Sequence, residues 1–364
     1  MKKRVMALVL SALMVTGLVG CGSSDKAGTE NKTEANFKVG MVTDAGTIDD
    51  KSFNQGTWEG IKKAGEDLGL ETKYLQPDGE AHPDYMIKIK DLYDAGFKFM
   101  VTPGFKFETA IGEAQTKYED AKFVILDGAP KETPESEAKV GPNSVAIFYA
   151  EEQSGFIAGV ATAVELKEGK LGFIGGMEIP PVQKFNWGFQ QGVKYANENL
   201  GTKMELNKED IVYQGTFTDA PAGQQIAATM YDKGIKAIFC SAGGVGSGAI
   251  TEAKTRTAKG EVAWVIGVDV DQYADGIYEG EKSAVLTSAM KRIDRASYDM
   301  IEKESKGEFP GGETLVYDIT NDGVGIPDTN PNLKEETIKT VNEVVEKLKS
   351  GDVKVSAEQG ELHR

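Results

Sequence analysis

Cysteine and histidine are nearly missing from this chain of 364 residues, which holds two of each: Cys21 and Cys240, His82 and His363. A tetrahedral Cys/His zinc site cannot be assembled from so few, and a disulfide framework is impossible. A Ser–His–Asp or Cys–His centre would have to use one of these two histidines, and neither sits in a recognisable motif. Basic residues are also short, 41 lysines and arginines against 57 acids, for a net charge of −16. So acidic a surface repels phosphate backbones and anionic bilayers, which argues against a nucleic-acid polymer as partner. Beyond the first twenty residues no run approaches the roughly 18 apolar residues of a membrane span. What remains has an ordinary hydrophobic content of 40% and 43 glycines, enough chain for about two domains with many tight turns.

The N-terminus reads as an address. Lys2, Lys3 and Arg4 precede an apolar run, Val5–Val19, broken only by Ser11, Thr16 and Gly17. That is the charge and length pattern of a secretory signal. The run ends in Leu18-Val19-Gly20-Cys21, which resembles a bacterial lipobox. The resemblance implies a signal peptide over 1–20 and diacylation of Cys21 as the new N-terminus. Residues 22–36 carry no aromatic or large aliphatic side chain and are expected to act as a flexible tether. The folded part should therefore lie on the extracytoplasmic face of a bacterial cell membrane, held by lipid.

From Phe37 onward short apolar β-rich runs alternate with amphipathic helical stretches. Candidate strands are 38–43, 71–75, 97–102, 122–127 and 144–149, then 170–175, 211–216, 236–241, 262–269, 283–289 and 314–319. Helical patterns lie between them at 55–68, 85–95, 151–166, 182–199 and 222–233, and another at 335–349 closes the chain. Runs such as Phe123-Val124-Ile125-Leu126 are apolar on both faces, as strands buried between helix layers are. The alternation predicts an α/β fold with parallel sheets and right-handed crossovers. Eleven strands and a proline-bearing loop at 128–143 predict two doubly wound lobes joined by a hinge, with a cleft between them. Residues 37–150 are assigned to lobe 1 with about 272–310, and 151–271 to lobe 2 with about 311–350; 351–364 read as a polar tail. In such folds ligands bind at the carboxyl ends of the strands.

Those ends carry distinctive residues. The first strand runs into Asp44-Ala45-Gly46-Thr47-Ile48-Asp49-Asp50-Lys51-Ser52-Phe53-Asn54. Asp49, Asp50 and Ser52 suit a helix cap, whereas Phe53 can offer its face to a planar ligand and Asp44 can accept its protons. Asp127 and Asp269 each follow an apolar strand directly, where a carboxylate can accept two hydrogen bonds from a vicinal diol. Gly243 opens a glycine-rich turn in which Gly244-x-Gly246-x-x-Ala249 fits a dinucleotide pattern, with Asp269 as its ribose acid. A milder reading lets these glycines bring backbone close to a ribose. Lys291 is read as starting a helix after a segment that crosses between lobes. A second aromatic is left open between Phe185 and Phe217. Asp269-x-Asp271 glances at a calcium loop, but Lys282 stands where a bidentate Glu is needed.

Together these segments resemble the basic membrane protein (BMP) family of substrate-binding lipoproteins, in particular its PnrA-like purine nucleoside-binding members. The likeness rests on Asp49–Gln55, Val124–Asp127, Ala158–Ala161, Gly172–Gly176, and Val268-Asp269 with Lys291. It implies the type I periplasmic-binding-protein fold, no cofactor and no catalysis. The expected partners are a purine nucleoside such as guanosine, adenosine or inosine and the permease of an ABC transporter. The protein itself is expected to be a monomer. By the same resemblance Phe53 and the second aromatic stack on the purine. Asp44 and Asn54 address the base or its neighbourhood, while Asp127, Gly243, Asp269 and Lys291 hold the ribose hydroxyls. A sugar receptor of the same fold and a dinucleotide enzyme are the alternatives.

Overall fold

A computed structural model describes residues 37–44 and 46–360. The expected signal peptide, Cys21, the tether and His363 lie outside these residues. The first part of the chain lays down β1 (Lys38–Val42), α1 (Phe53–Leu68), β2 (Glu71–Leu75), α2 (His82–Asp94) and β3 (Phe99–Pro103). It continues with α3 (Glu108–Lys117), β4 (Lys122–Leu126) and β5 (Ser144–Tyr149). The second part holds α4 (Glu151–Leu166), β6 (Glu168–Gly175), α5 (Pro180–Asn199), β7 (Lys203–Tyr213) and α6 (Ala220–Asp232). Then come β8 (Ile235–Ser241), α7 (Gly244–Thr257), β9 (Trp264–Asp269) and a small hairpin of β10 (Ile277–Glu279) and β11 (Lys282–Ser283). The chain closes with β12 (Val285–Lys291), α8 (Ile293–Ser305), β13 (Thr314–Tyr317), β14 (Val324–Gly325) and α9 (Glu335–Ser350).

The strands form two six-stranded sheets, ordered β13-β5-β4-β3-β1-β2 and β14-β12-β9-β8-β6-β7. The first is wholly parallel, and in the second only β14 runs antiparallel to its neighbour. In both, strand order reverses beside the first strand, which opens a crevice at the carboxyl ends. Two expectations need correction. Val285–Lys291 pairs with β9 and so belongs to the second sheet, although the expected division places 272–310 in lobe 1. Thr314–Tyr317 pairs with β5 in the first sheet, although the same division places 311–350 in lobe 2. Apolar runs show that a strand is buried but not which sheet buries it. Within those spans α8 does pack on α1, and α9 on α4. Strand β7 begins well before the expected 211, because its alternating exposure on the sheet edge hides it among polar residues.

Among the described residues three chain crossings join the lobes: β5 to α4, β12 to α8, and β13 to β14. They run side by side and are stitched together. The Ala150 amide donates to the Tyr317 carbonyl (3.0 Å) and that of Arg292 to Gly323 (2.9 Å). The Ile319 amide reaches Gln153 Oε1 (2.9 Å) and the Ser154 hydroxyl the Gly325 carbonyl (2.8 Å). Behind this hinge α4 and α5 pack backbone to backbone. A Cβ on Gly188 would lie 2.0 Å from the Glu152 carbonyl, and one on Gly155 2.2 Å from that of Phe185. Only glycine permits that approach.

Candidate functional site

The strand ends of both lobes face one cavity of about 350 Å³, within the usual size for a small-molecule site. All nine residues singled out from the sequence line it: Asp44, Phe53, Asn54, Asp127, Phe185, Phe217, Gly243, Asp269 and Lys291.

On the first lobe the turn after β1 is organised by Asp50. Its carboxylate accepts from the amides of Ser52 (2.9 Å), Asn54 (2.9 Å) and Gln55 (3.0 Å), and so caps α1. Asp50 also accepts from Asn54 Nδ2 (2.8 Å). That amide is therefore fixed as it donates to Asp44 Oδ1 (2.7 Å), while Asn54 Oδ1 accepts from the Asp44 amide (3.1 Å). Asp44 Oδ1 also takes the Gly46 amide (3.0 Å), and Oδ2 accepts no hydrogen bond from the described residues. Burial pushes the Asp44 carboxyl up to about 6 against the pull of these donors. Phe53 begins α1 and is half-buried.

Asp127, following β4, and Asp269, ending β9, both adopt left-handed backbone conformations (φ 57° and 64°). Non-glycine residues rarely do so, and aspartate is among the few that tolerate it. Gly243, after β8, has a similarly positive φ (54°). Asp127 gives one oxygen to Lys291, while Oδ1 is buried without a partner among the described residues. Asp269 accepts the Ser52 hydroxyl through Oδ2, a hydrogen bond that joins the lobes. Burial raises both carboxyls above the ordinary range, Asp269 to about 6, with Lys291 pulling each back down.

Lys291 differs from its expected setting. It ends β12 rather than starting a helix, and only 2% of it is exposed, because the crossing begins one residue later at Arg292. Its ammonium bonds Asp127, stands 2.9 Å from Glu151 Oε1, and lies 5.0 Å from the Phe53 ring centroid and 4.8 Å from that of Tyr149. Burial alone would lower its pKa, but Asp127, Glu151 and Asp269 outweigh burial and lift it above the lysine norm.

Both candidates for the second aromatic reach the cavity. Phe185 is 2% exposed and packed edge-on against Phe239, whereas Phe217 is half-buried. The glycine turn lies under Phe217. A Cβ on Gly244 would meet the Phe217 carbonyl at 3.0 Å, and that carbonyl also accepts the Val245 amide at the start of α7 (3.3 Å). The helix terminus that a pyrophosphate would need is therefore partly taken by protein. Cys240 is buried in β8, and His82 bridges Thr109 and Glu113 away from the cavity. Among the described residues no group of three acids, cysteines or histidines could hold a metal ion, and no helix could cross a membrane.

Two residues escape the sequence reading. Glu151 follows the apolar strand β5 almost as Asp127 follows β4, and Phe105 lies just past β3 on the cavity wall. Allowing the acid to stand two residues past its strand would find Glu151, and extending the rule from acids to aromatics would find Phe105.

The family model described as "ABC transporter substrate-binding protein PnrA-like" matches residues 37–359. The "ABC transporter nucleoside-binding protein BmpA" of Lactococcus lactis is 34% identical, with 95% of this chain and 98% of that protein covered. The "CD4+ T-cell-stimulating antigen" of Listeria innocua is also 34% identical, over 98% and 99%. Among solved structures, a solute-binding protein of an ABC transporter system from Aeropyrum pernix superposes with a TM-score of 0.74 at 23% identity. It covers 89% of this chain and 94% of its own. The fold is that of the two-lobed periplasmic binding proteins, and the chain belongs to the Bmp family of PnrA-like substrate-binding proteins, which take up a small solute outside the cytoplasm for an ABC transporter.

Proposed function

We propose that the protein is a lipid-anchored extracytoplasmic receptor that closes over a purine nucleoside and delivers it to its permease. One juxtaposition carries the reading. Half-buried aromatic faces from opposite lobes, Phe53 and Phe217, share a single cavity with Asp127, Asp269 and Lys291. The rings suit a planar base, whose stacking contributes about 1–3 kcal/mol. The carboxylates and the ammonium suit a vicinal diol, the ribose edge. Asp44, whose Oδ2 accepts nothing from the described residues, can accept a base N–H.

Charge supports a nucleoside over a nucleotide. The cavity wall holds Asp44, Asp49, Asp50, Asp127 and Asp269 against Lys291, a field that opposes a phosphate. The Lactococcus relative is named for nucleoside binding, which points the same way. Anchoring rests on the lipobox-like Leu18–Cys21. Calorimetry with inosine, guanosine, adenosine, free ribose, galactose and NAD tests the ligand. Tight nucleoside binding without turnover is expected. Binding of a free sugar alone would sink the reading, since the aromatic faces would then have no use.

A further inference from the structure

Glu151 does not line the cavity, yet it touches Lys291, which does. It is the first residue of α4, where the chain first crosses between lobes, and Lys291 is the last residue before the second crossing. Both side chains are 2% exposed. Glu151 Oε1 is 2.9 Å from Lys291 Nζ, and its other oxygen is 3.4 Å from Lys184 Nζ on α5. Other titratable groups near the pair among the described residues include Asp127 after β4, Asp269 ending β9, Glu152 beside Glu151, and Tyr149, whose ring lies 4.8 Å from the ammonium and whose own neighbours include Asp294 on α8.

An ammonium has three N–H donors. One is donated to Asp127, and the ammonium is paired with Glu151 at 2.9 Å. Lys291 also lines the cavity, beside the buried, unpartnered Oδ1 of Asp127. A hydroxyl placed there could donate to the carboxylate and accept from the ammonium at once. Without Glu151 the ammonium would be free to swing across both Asp127 oxygens, and the open acceptor would be lost.

We propose that Glu151 is a positioning residue for the binding site: it holds the Lys291 ammonium to one oxygen of Asp127, which keeps the other open for a ligand hydroxyl. The inference rests on the nucleoside reading for its choice of ligand. Calorimetry on the full chain with inosine and 2′,3′-dideoxyinosine tests it. Glu151→Gln should weaken inosine about tenfold or more and the dideoxy analogue far less. Equal losses, or none, would overturn the proposal. Should Glu151→Gln fail to fold, Glu151→Asp carries the test; its shorter reach should cost inosine selectively, and unchanged preference would overturn the proposal.

A second readout needs no ligand. The 13C resonance of the Asp127 carboxyl, titrated in the free protein, should show a lower apparent pKa in Glu151→Gln, because a neighbouring negative charge is gone and the ammonium is released toward Asp127. An unchanged titration refutes the proposal. If wild-type protein binds neither ligand, the nucleoside reading fails by itself and the titration still decides the role of Glu151.

Discussion

Replacing Asp269 by asparagine isolates one charge with little disturbance of the fold. Asparagine tolerates the left-handed backbone at this position (φ 64°), and its carbonyl can still accept the Ser52 hydroxyl. What disappears is the negative charge and one acceptor oxygen of a residue that lines the cavity. A hydrogen bond to a charged acceptor contributes about 1.5–3 kcal/mol and one to a neutral acceptor about 0.5–1.5. For two ribose hydroxyls the expected deficit is about 1–3 kcal/mol, or roughly 5- to 150-fold in Kd. Calorimetry at pH 7.5 with inosine and its 2′,3′-dideoxy analogue separates this loss from any change in base binding. The pH profile gives a second handle. Burial lifts Asp269 to about 6, so acidification through that value protonates it and weakens riboside binding; Asp269→Asn should lose that part of the acid limb. If the substitution weakens both ligands equally, or leaves inosine untouched, the assignment of Asp269 to the ribose is wrong.

Further outcomes follow from the same geometry. Phe53→Ala and Phe217→Ala should each weaken every nucleoside by about 1–3 kcal/mol whatever its sugar, measured by calorimetry. Phe185→Ala should instead lower the melting temperature, because it empties a core site worth about 3–5 kcal/mol; a selective affinity loss there would make Phe185 the stacking ring. Asp44, Asp127 and Asp269 all have carboxyls raised by burial, so their contribution to stability is full below about pH 4 and lost as pH rises through about 6 for Asp44 and Asp269 and about 7 for Asp127. The ligand-free protein should therefore melt higher at pH 5 than at pH 7, while riboside affinity moves the other way; a melting temperature that falls on acidification refutes this. Gly188→Ala places a Cβ 2.0 Å from the Glu152 carbonyl and should cost about 1–3 kcal/mol in denaturant unfolding, with no selectivity between ligands.

The legible parts of the fold share a physical reason. Doubly buried strands such as Phe123–Leu126 are continuous apolar runs, and their termini carry the site, so the sequence alone marks Asp127 and Asp269 as rim acids. Helix α4 is readable over its whole observed span, Glu151–Leu166, because both boundaries are marked by polar residues. Sheet membership is not legible at Val285–Lys291 and Thr314–Tyr317, since each strand is supplied across the hinge and sequence proximity points to the wrong lobe. The burial of Lys291 is hidden for a related reason. Its partners Asp127 and Glu151 are 164 and 140 positions away, and no local pattern shows that three carboxylates converge on it.

The three stitched crossings have a consequence for transport. Side-by-side tethers resist twisting and sliding far better than bending, which confines the lobes to one rotation. A permease reading the relative position of the lobes would then sense a single coordinate, the angle of closure. Two solutes that bring the lobes to the same angle would look alike from the membrane. Discrimination among solutes would have to be completed inside the cavity, before docking, and a poorly matched molecule that still permitted full closure would be carried as cargo.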